Sequence, residues 1–292
     1  MAHIVICADD YGMSEGVCDA IDTLIAEGRI HATSAMTVFP EWRQRAVSLR
    51  ALADRAGADV GLHLTLTDHE PLSSPAGLIS GGFLPKLTNL LQNAMLRRLP
   101  KADIALEIKA QLDAFEDAFG AAPAFVDGHQ HVHILPGIRD LLIGEIRARY
   151  GQDCAMRVTV EPLGAIIRRG VAPVKAMILN ALGLRHARLA RAAGLACNDS
   201  FRGAYDFDVG PGYGSLFRRF LDDAGIDPHC PLIFCHPGRA DAVLRSRSGL
   251  AETREHEFAY LASPAYIEDC ARAGRIAARP SEVLTRIEGK IR

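Results

Sequence analysis

The sequence predicts an α/β protein, a deformed (β/α) barrel of TIM-like type formed as a single domain over residues 1–292. Three observations carry that expectation. Short apolar, β-branched runs alternate with helical patterns of about a dozen residues, which argues for βαβ units and a parallel sheet. Polar, chemistry-bearing residues cluster where several of those runs end, and barrel enzymes assemble their sites at the C-terminal ends of their strands. Neither GxGxxG after the first strand nor GxxxxGKS/T anywhere is present, so a nucleotide-binding doubly wound sheet loses its main support.

Residues 3–8 read as a buried strand delivering the polar loop Asp9-Asp10-Tyr11-Gly12. Ser14 is a candidate N-cap for a helix with Val17, Ile21, Leu24 and Ile25 at helical spacing and Gly28 as its stop. A strand over 33–39 and a helix over 41–55 make the second unit. The third strand, 59–66, carries Gly61-Leu62-His63. A stretch with Pro71, Pro75, Gly77, Gly81 and Gly82 follows, long enough to be functional. Ile104, Ile108, Leu112, Phe115 and Phe119 mark one apolar helix face, closed by Gly120 and Pro123. Then come a strand over 124–132, a helix over 137–150, a strand over 155–160, and a late buried strand, 231–235, ending at His236-Pro237-Gly238.

Hydrophobic residues make up 49% and charged residues 23%, a balance that excludes disorder because enough apolar surface is available to offset ordering entropy. A formal charge of −2 argues against a nucleic-acid partner, which calls for a basic excess. The seven cysteines are scattered, show no CxxC spacing, and are expected to be mostly buried, reduced small hydrophobes. The N-terminal residues lack the basic start of a signal peptide, and no apolar run approaches the ~20 residues of a membrane span. The expectation is a cytoplasmic enzyme.

Four strand ends offer metal-type or acid–base groups: Asp9 and Asp10; His63; His129, His131 and His133; and His236. Adjacent carboxylates on an extended chain point apart, so one can ligate while the other stays free as a base. On an extended segment Asp127, His129, His131 and His133 share one face, too many for one ion, with His129 nearest the strand end. Two imidazoles and one carboxylate form a set with open positions that suits catalytic zinc, iron and related divalent ions. Such an ion acidifies water and polarises a carbonyl, while a free Asp takes a proton and a separate His returns one. That chemistry is metal-assisted hydrolysis of an acyl or amide bond. Structural roles compete: the paired Asp as a helix cap, His63 as a satisfied core residue, His236 as a turn residue, and Asp127 orienting a histidine in preference to ligating. Three alternating histidines are hardest to dismiss, because burying unpaired imidazoles is costly. His3, His31, His69, His186, His229 and His256 have no supporting context and are expected in surface or structural positions.

The segments Ala8-Asp9-Asp10-Tyr11-Gly12, Gly61-Leu62-His63, Asp127-Gly128-His129-Gln130-His131-Val132-His133 and Cys235-His236-Pro237-Gly238 resemble the motifs of the YdjC-like carbohydrate deacetylases, the ChbG/HpnK group. They occur in family order across residues 8–238. The resemblance implies a deformed (β/α) barrel and divalent-metal hydrolysis of N-acetyl groups on sugars, with magnesium the expected ion and zinc the alternative. Carried over by position, it makes Asp10, His63 and His129 the metal ligands. Asp9 is then the general base and His236 the general acid, by similarity to the more distant NodB-type polysaccharide deacetylases. His131, Asp127 and Arg157 are expected at the substrate, Arg157 to stabilise the oxyanion or hold a sugar hydroxyl, with a surface salt bridge as its alternative.

A basic helical insertion at about 163–196 departs from the short members that act on chitin disaccharide. It holds no acidic residue, while Arg168, Arg169, Lys175, Arg185, Arg188 and Arg191 give +6 among interleaved apolar residues. It reads as one or two basic amphipathic helices: either a solvated outer barrel helix, or a surface that meets an anionic lipid or a lipid-linked sugar. The expected substrate is therefore an N-acetylated carbohydrate, chitooligosaccharide-like or lipid- or hopanoid-linked, with acetate released. Peripheral membrane contact through this segment and a homodimer are the expected associations. The alternatives are another metal-dependent amidohydrolase or phosphoesterase, although those commonly carry H-x-H where Asp9-Asp10 stand, and a non-catalytic sugar-binding regulator.

Overall fold

The computed structural model describes residues 2–208, 210, 212–224 and 231–283; His229 and Cys230 lie outside the described residues. Strand β1 (Ala2–Tyr11) is buried from Ile4 onward, so its backbone needs ladder partners on both edges and its side chains need cover on both faces. Parallel neighbours supply the first and crossover helices the second. In chain order follow α1 (Glu15–Ala26), β2 (Ala32–Ala35), α2 (Pro40–Ala56), β3 (Asp59–Leu64), α3 (Leu87–Met95), α4 (Lys101–Phe119), β4 (Phe125–Gly128), α5 (Ile138–Tyr150) and β5 (Ala155–Met156). The second half adds α6 (Leu163–Arg169), α7 (Pro173–Ala192), β6 (Ser200–Arg202), α8 (Tyr213–Ala224), β7 (Pro231–Cys235), α9 (Ala242–Arg247), α10 (Ala251–Leu261), α11 (Pro264–Arg272) and β8 (Arg275–Ala277).

All described strand pairs are parallel, in the order β5-β4-β3-β2-β1-β7-β6, with β8 paired to the first residues of β1. Between β5 and β6 the ladder gives way to a side chain. Asn198 accepts from the Val158 N–H at 2.7 Å and donates to the Val158 carbonyl at 2.9 Å, and the Phe201 N–H donates to Val160 at 2.9 Å. This seam is the deformation of the barrel, and the whole is a single α/β domain. It also limits the strand expected over 155–160 to Ala155–Met156.

Local signals place the helices that close the barrel. Ser14 accepts the Val17 N–H at 3.3 Å and caps α1, whose Val17, Ile21, Leu24 and Ile25 are fully buried. Trp42 of α2 stacks on Phe115 of α4 at 4.9 Å between ring centroids, in the layer outside β2 and β3. Three further strands end earlier than expected, among them the one over 59–66, which stops at Leu64. The run over 33–39 stops at Ala35. The run over 124–132 stops at Gly128, level with Leu64 where β3 ends, and the chain continues as a 3-10 turn over His129–Ile134 with Gln130 and His131 at φ 52° and 59°. Without a ladder partner the extended conformation has nothing to hold it, so the alternation of side chains expected there is broken. The described cysteines, Cys7, Cys18, Cys154, Cys197, Cys235 and Cys270, are free and buried. No helix among the described residues is long and apolar enough to cross a membrane.

Candidate active site

The two adjacent carboxylates at the end of β1 reach one site because the strand bulges. Ala8 pairs with Thr33 and Tyr11 with Ala35, so three steps of β1 oppose two of β2, and Asp10 takes up the extra residue at φ 70°. Aspartate tolerates this left-handed conformation better than most residues. On a regular strand Asp9 and Asp10 would face opposite sides; here both line a cavity of about 1250 Å³. His63 from β3, His129 and His131 from the turn after β4, and His236 after β7 line it too.

Close approach of β3 and β4 sets the next pair. A Cβ on Gly61 would stand 2.6 Å from the Phe125 carbonyl oxygen, so only glycine lets β4 lie this near. His63 and Asp127 are then register partners, with His63 Nδ1 2.7 Å from Asp127 Oδ1. That contact fixes the ring and leaves His63 Nε2 facing Asp10 Oδ1 at 3.1 Å. His129 Nδ1 approaches the same oxygen at 2.9 Å. Asp10, His63 and His129 thus offer one oxygen and two nitrogens, all within 4.8 Å of one another. A carboxylate with two imidazoles is a donor set that fits a divalent cation.

Two buried guanidinium groups balance the carboxylates from behind. Arg157, 2% exposed, donates to Asp9 Oδ1 and Oδ2 at 2.6 and 2.7 Å and pairs with Asp127 Oδ2 at 2.6 Å. Arg254 donates to Asp10 Oδ2 at 2.5 Å. Burial alone would raise the Asp9 carboxyl, but Arg157 outweighs it and holds Asp9 at about 2. Burial likewise opposes ionisation of Asp10, yet Arg254 and His129 keep it well below the ordinary range. Burial disfavours charge on His63, and the surrounding Asp127 and Asp10 reverse this, lifting it to about 10. The potential at His63 therefore favours positive charge, as a cation site requires. A second convergence, Cys7, Asp9 and Asp127, is already served by Arg157, whose guanidinium reaches both carboxylates.

The structure brings Asp9, Asp10, His63, His129, His131 and His236 to one cavity wall and sets Asp127 and Arg157 behind it, against His63 and Asp9. His131 lies edge-on to Phe201 and Phe234, and burial lowers it to about 3, so its imidazole is neutral. His133 does not share that wall. It is fully buried, edge-on to His186, whose Nε2 lies 3.2 Å from the Arg157 carbonyl. The expectation that four alternating residues share a face fails because the chain turns at His129. His69, expected in a surface or structural position, lines the cavity with its ring centroid 5.8 Å from that of His129.

Sequence reasoning also missed α10. Glu257, fully buried, accepts the His236 backbone N–H at 2.6 Å and the Tyr205 hydroxyl at 2.5 Å, with Oε1 3.8 Å from His236 Nδ1. Arg254 and Glu257 stand three apart on one helix face, so α10 backs both Asp10 and His236. Gly238 permits this, since a Cβ there would meet Arg254 and Val17 at 3.2 Å. Two charged residues three apart on a helix ordinarily read as a solvated face; only their burial distinguishes this pair.

Residues 3–272 match the family model described as YdjC-like protein. The chain is 36% identical over 155 residues to a chitooligosaccharide deacetylase of Enterobacter sp. (strain 638), covering 53% of this chain and 58% of that protein. It is 27% identical over 275 residues to a carbohydrate deacetylase of Geobacillus stearothermophilus, covering 93% of this chain and 94% of that protein. The matches to the Enterobacter protein and to a chitooligosaccharide deacetylase of Proteus mirabilis (strain HI4320) span 58% and 61% of those relatives, less than two thirds of their length. A crystal structure from Enterococcus faecalis V583, provisionally named a cellobiose-phosphate cleavage protein, has the same fold: TM-score 0.74 at 20% identity, covering 96% of this chain and 98% of that one.

Proposed function

Because the chain belongs to the YdjC-like protein family, we propose that it is a divalent-metal-dependent carbohydrate deacetylase, hydrolysing the N-acetyl group of an acetylated sugar and releasing acetate. The observation that carries this reading is the convergence of Asp10, His63 and His129 on one point in a cavity that Asp9 and His236 also line. The names of the Enterobacter and Geobacillus relatives support the substrate class.

In this reading Asp10, His63 and His129 hold the cation, magnesium first and zinc as the alternative. When bound, the cation supplies Lewis acidity toward the acetamide carbonyl and the attacking water. Asp9 accepts the proton of that water. Its two bonds to Arg157 hold the carboxylate in place and ionised, and a carboxylate has about four lone-pair sites, so capacity remains on the cavity side. His236 gives a proton to the departing amine, completing acetate and a free amino sugar. Asp127 fixes the tautomer of His63 and Arg157 fixes Asp9, both as positioning residues, while His131 meets the sugar directly. The cytoplasm as its compartment, and a sugar that is either a free oligosaccharide or carried on a lipid, belong to the same proposal.

The deciding experiment is acetate release from free N-acetylglucosamine, N,N′-diacetylchitobiose and a lipid-linked N-acetylglucosamine, with added magnesium or zinc and with chelator. Release that chelator abolishes and metal restores is the expected result. Silence on every substrate, with metal demonstrably bound, refutes it.

A further inference from the structure

Helices α6 and α7 present residues to solvent that the core does not use. On α6 these are Leu163 and Ile167; on α7, Val174 (65% exposed), Met177, Ile178 (53%) and Leu184. At 100° per residue, positions 174, 177, 178, 181, 184, 185, 188 and 191 of α7 fall within roughly 140° of its circumference, so they form one face. The chemistry changes along that face. Its N-terminal half is apolar, through Leu184, and its C-terminal half carries the exposed Arg185, Arg188 and Arg191. No carboxylate lies between Leu163 and Ala196 to offset them. Two other cations of the segment turn inward instead: Arg169 pairs with Glu161, and Lys175 donates to the Tyr205 carbonyl at 2.8 Å with its ammonium over the Phe207 ring.

The apolar half of this face runs into the candidate site. Val174 and Ile178 line the same cavity as Asp10, His63 and His129, and residues that line a cavity while more than half exposed stand at its rim. Phe83, 49% exposed, and Leu87 line it as well. At about 1250 Å³ the cavity exceeds the roughly 300–1,000 Å³ usual for small-molecule sites. Single exposed apolar side chains are ordinary, but a contiguous set at a cavity rim marks an interaction surface. Apolar residues and arginines on one helix face, with no carboxylate on the segment that bears them, match the chemistry of an anionic bilayer surface, with acyl chains below and phosphates above.

We propose that the exposed face of α7 docks the protein on an anionic lipid surface, placing the cavity rim against the bilayer. The docking stands on the face alone; what it does for turnover of a lipid-borne substrate rests in addition on the deacetylase reading.

Flotation of the full chain with phosphatidylcholine vesicles, with and without phosphatidylglycerol, tests the docking. The protein floats with the anionic vesicles, and Arg185→Gln/Arg188→Gln/Arg191→Gln weakens binding on the order of a hundredfold. Met177→Asp/Leu184→Asp abolishes flotation. Neither set lines the cavity, so acetate release from soluble N,N′-diacetylchitobiose stays at the wild-type rate, while release from an N-acetylglucosaminyl lipid in the same vesicles falls with flotation. Wild-type protein that stays at the bottom of the gradient, or variants that float as it does, overturn the docking. Conversion of a dimer to a monomer by Met177→Asp/Leu184→Asp, with no flotation, assigns the face to a second copy and overturns it too. Flotation without acetate from any substrate overturns the deacetylase reading and leaves the docking in place.

Discussion

Arg157→Met isolates what the buried guanidinium contributes to the site. The substitution keeps most of the side-chain volume and removes the charge that faces Asp9 at 2.6 and 2.7 Å and Asp127 at 2.6 Å. All three side chains are within 2% of complete burial, so water cannot take over the lost contacts. Removing one member of a buried charge cluster costs about 3–5 kcal/mol, because Asp9 loses its guanidinium partner and Asp127 is left to His63. For a native stability of about 5–15 kcal/mol that is a large but survivable loss, expressed as a drop of roughly 10 °C in Tm. The assay is urea unfolding with chelator present, so that metal binding does not shift the folded state differently between variants. Neutralising the orphans in Asp9→Asn/Asp127→Asn/Arg157→Met recovers more than half of the loss. Arg157→Lys keeps a charge but not the planar fork, and falls between wild type and Met. A loss under about 1 kcal/mol for Arg157→Met, or no recovery in the triple variant, refutes the reasoning.

Three further outcomes follow from the same geometry. His129→Ala loses both metal retention and turnover, whereas Asp9→Asn keeps metal and loses rate by about 10²–10⁴-fold; isothermal titration with metal beside acetate release separates the two. Glu257→Gln leaves metal affinity unchanged and lowers the rate of acetate release, since Glu257 faces His236 and not Asp10; an unchanged rate refutes a positioning role for it. His186 is fully buried, and burial lowers it to about 4 against 6.5 when unfolded. The unfolded chain therefore takes up this proton first as pH falls, so the stability His186 brings is complete above about 6.5 and is lost toward 4, about 3 kcal/mol in all. Wild type should lose more stability than His186→Gln between pH 8 and 5, and parallel loss in the two rejects the assignment.

Much of the architecture was readable because hydrophobic period is a local property. The apolar runs of β1, β3 and β7 and the faces of α1, α2, α4 and α5 follow from spacing and from caps such as Ser14. Two of the short strands escaped that reading. Strands β6 and β8 are three residues each, too few to show a period, and β5 is cut to two because Asn198 replaces a ladder. The basic segment read as amphipathic helix from composition. Which of its cations turn inward, and that its apolar half meets the cavity rim, depends on Glu161, Tyr205 and Phe207 and on the cavity wall.

For the candidate site, the sequence by itself determined the inventory: two adjacent aspartates, a histidine on each of several strand ends, and a parallel sheet to gather them. Residue type and strand order suffice for that. Tertiary structure alone decided how the groups face one another. The bulge at Asp10 turns both carboxylates of β1 into one cavity, and the turn at His129 takes His133 out of it. Arg157 reaches Asp9 across 148 residues of chain, and Arg254 reaches Asp10 across 244. Electrostatic partners so remote leave no trace in local pattern. A buried guanidinium and a solvated one are the same letter in the sequence, and only packing that excludes water makes one of them hold a carboxylate in place.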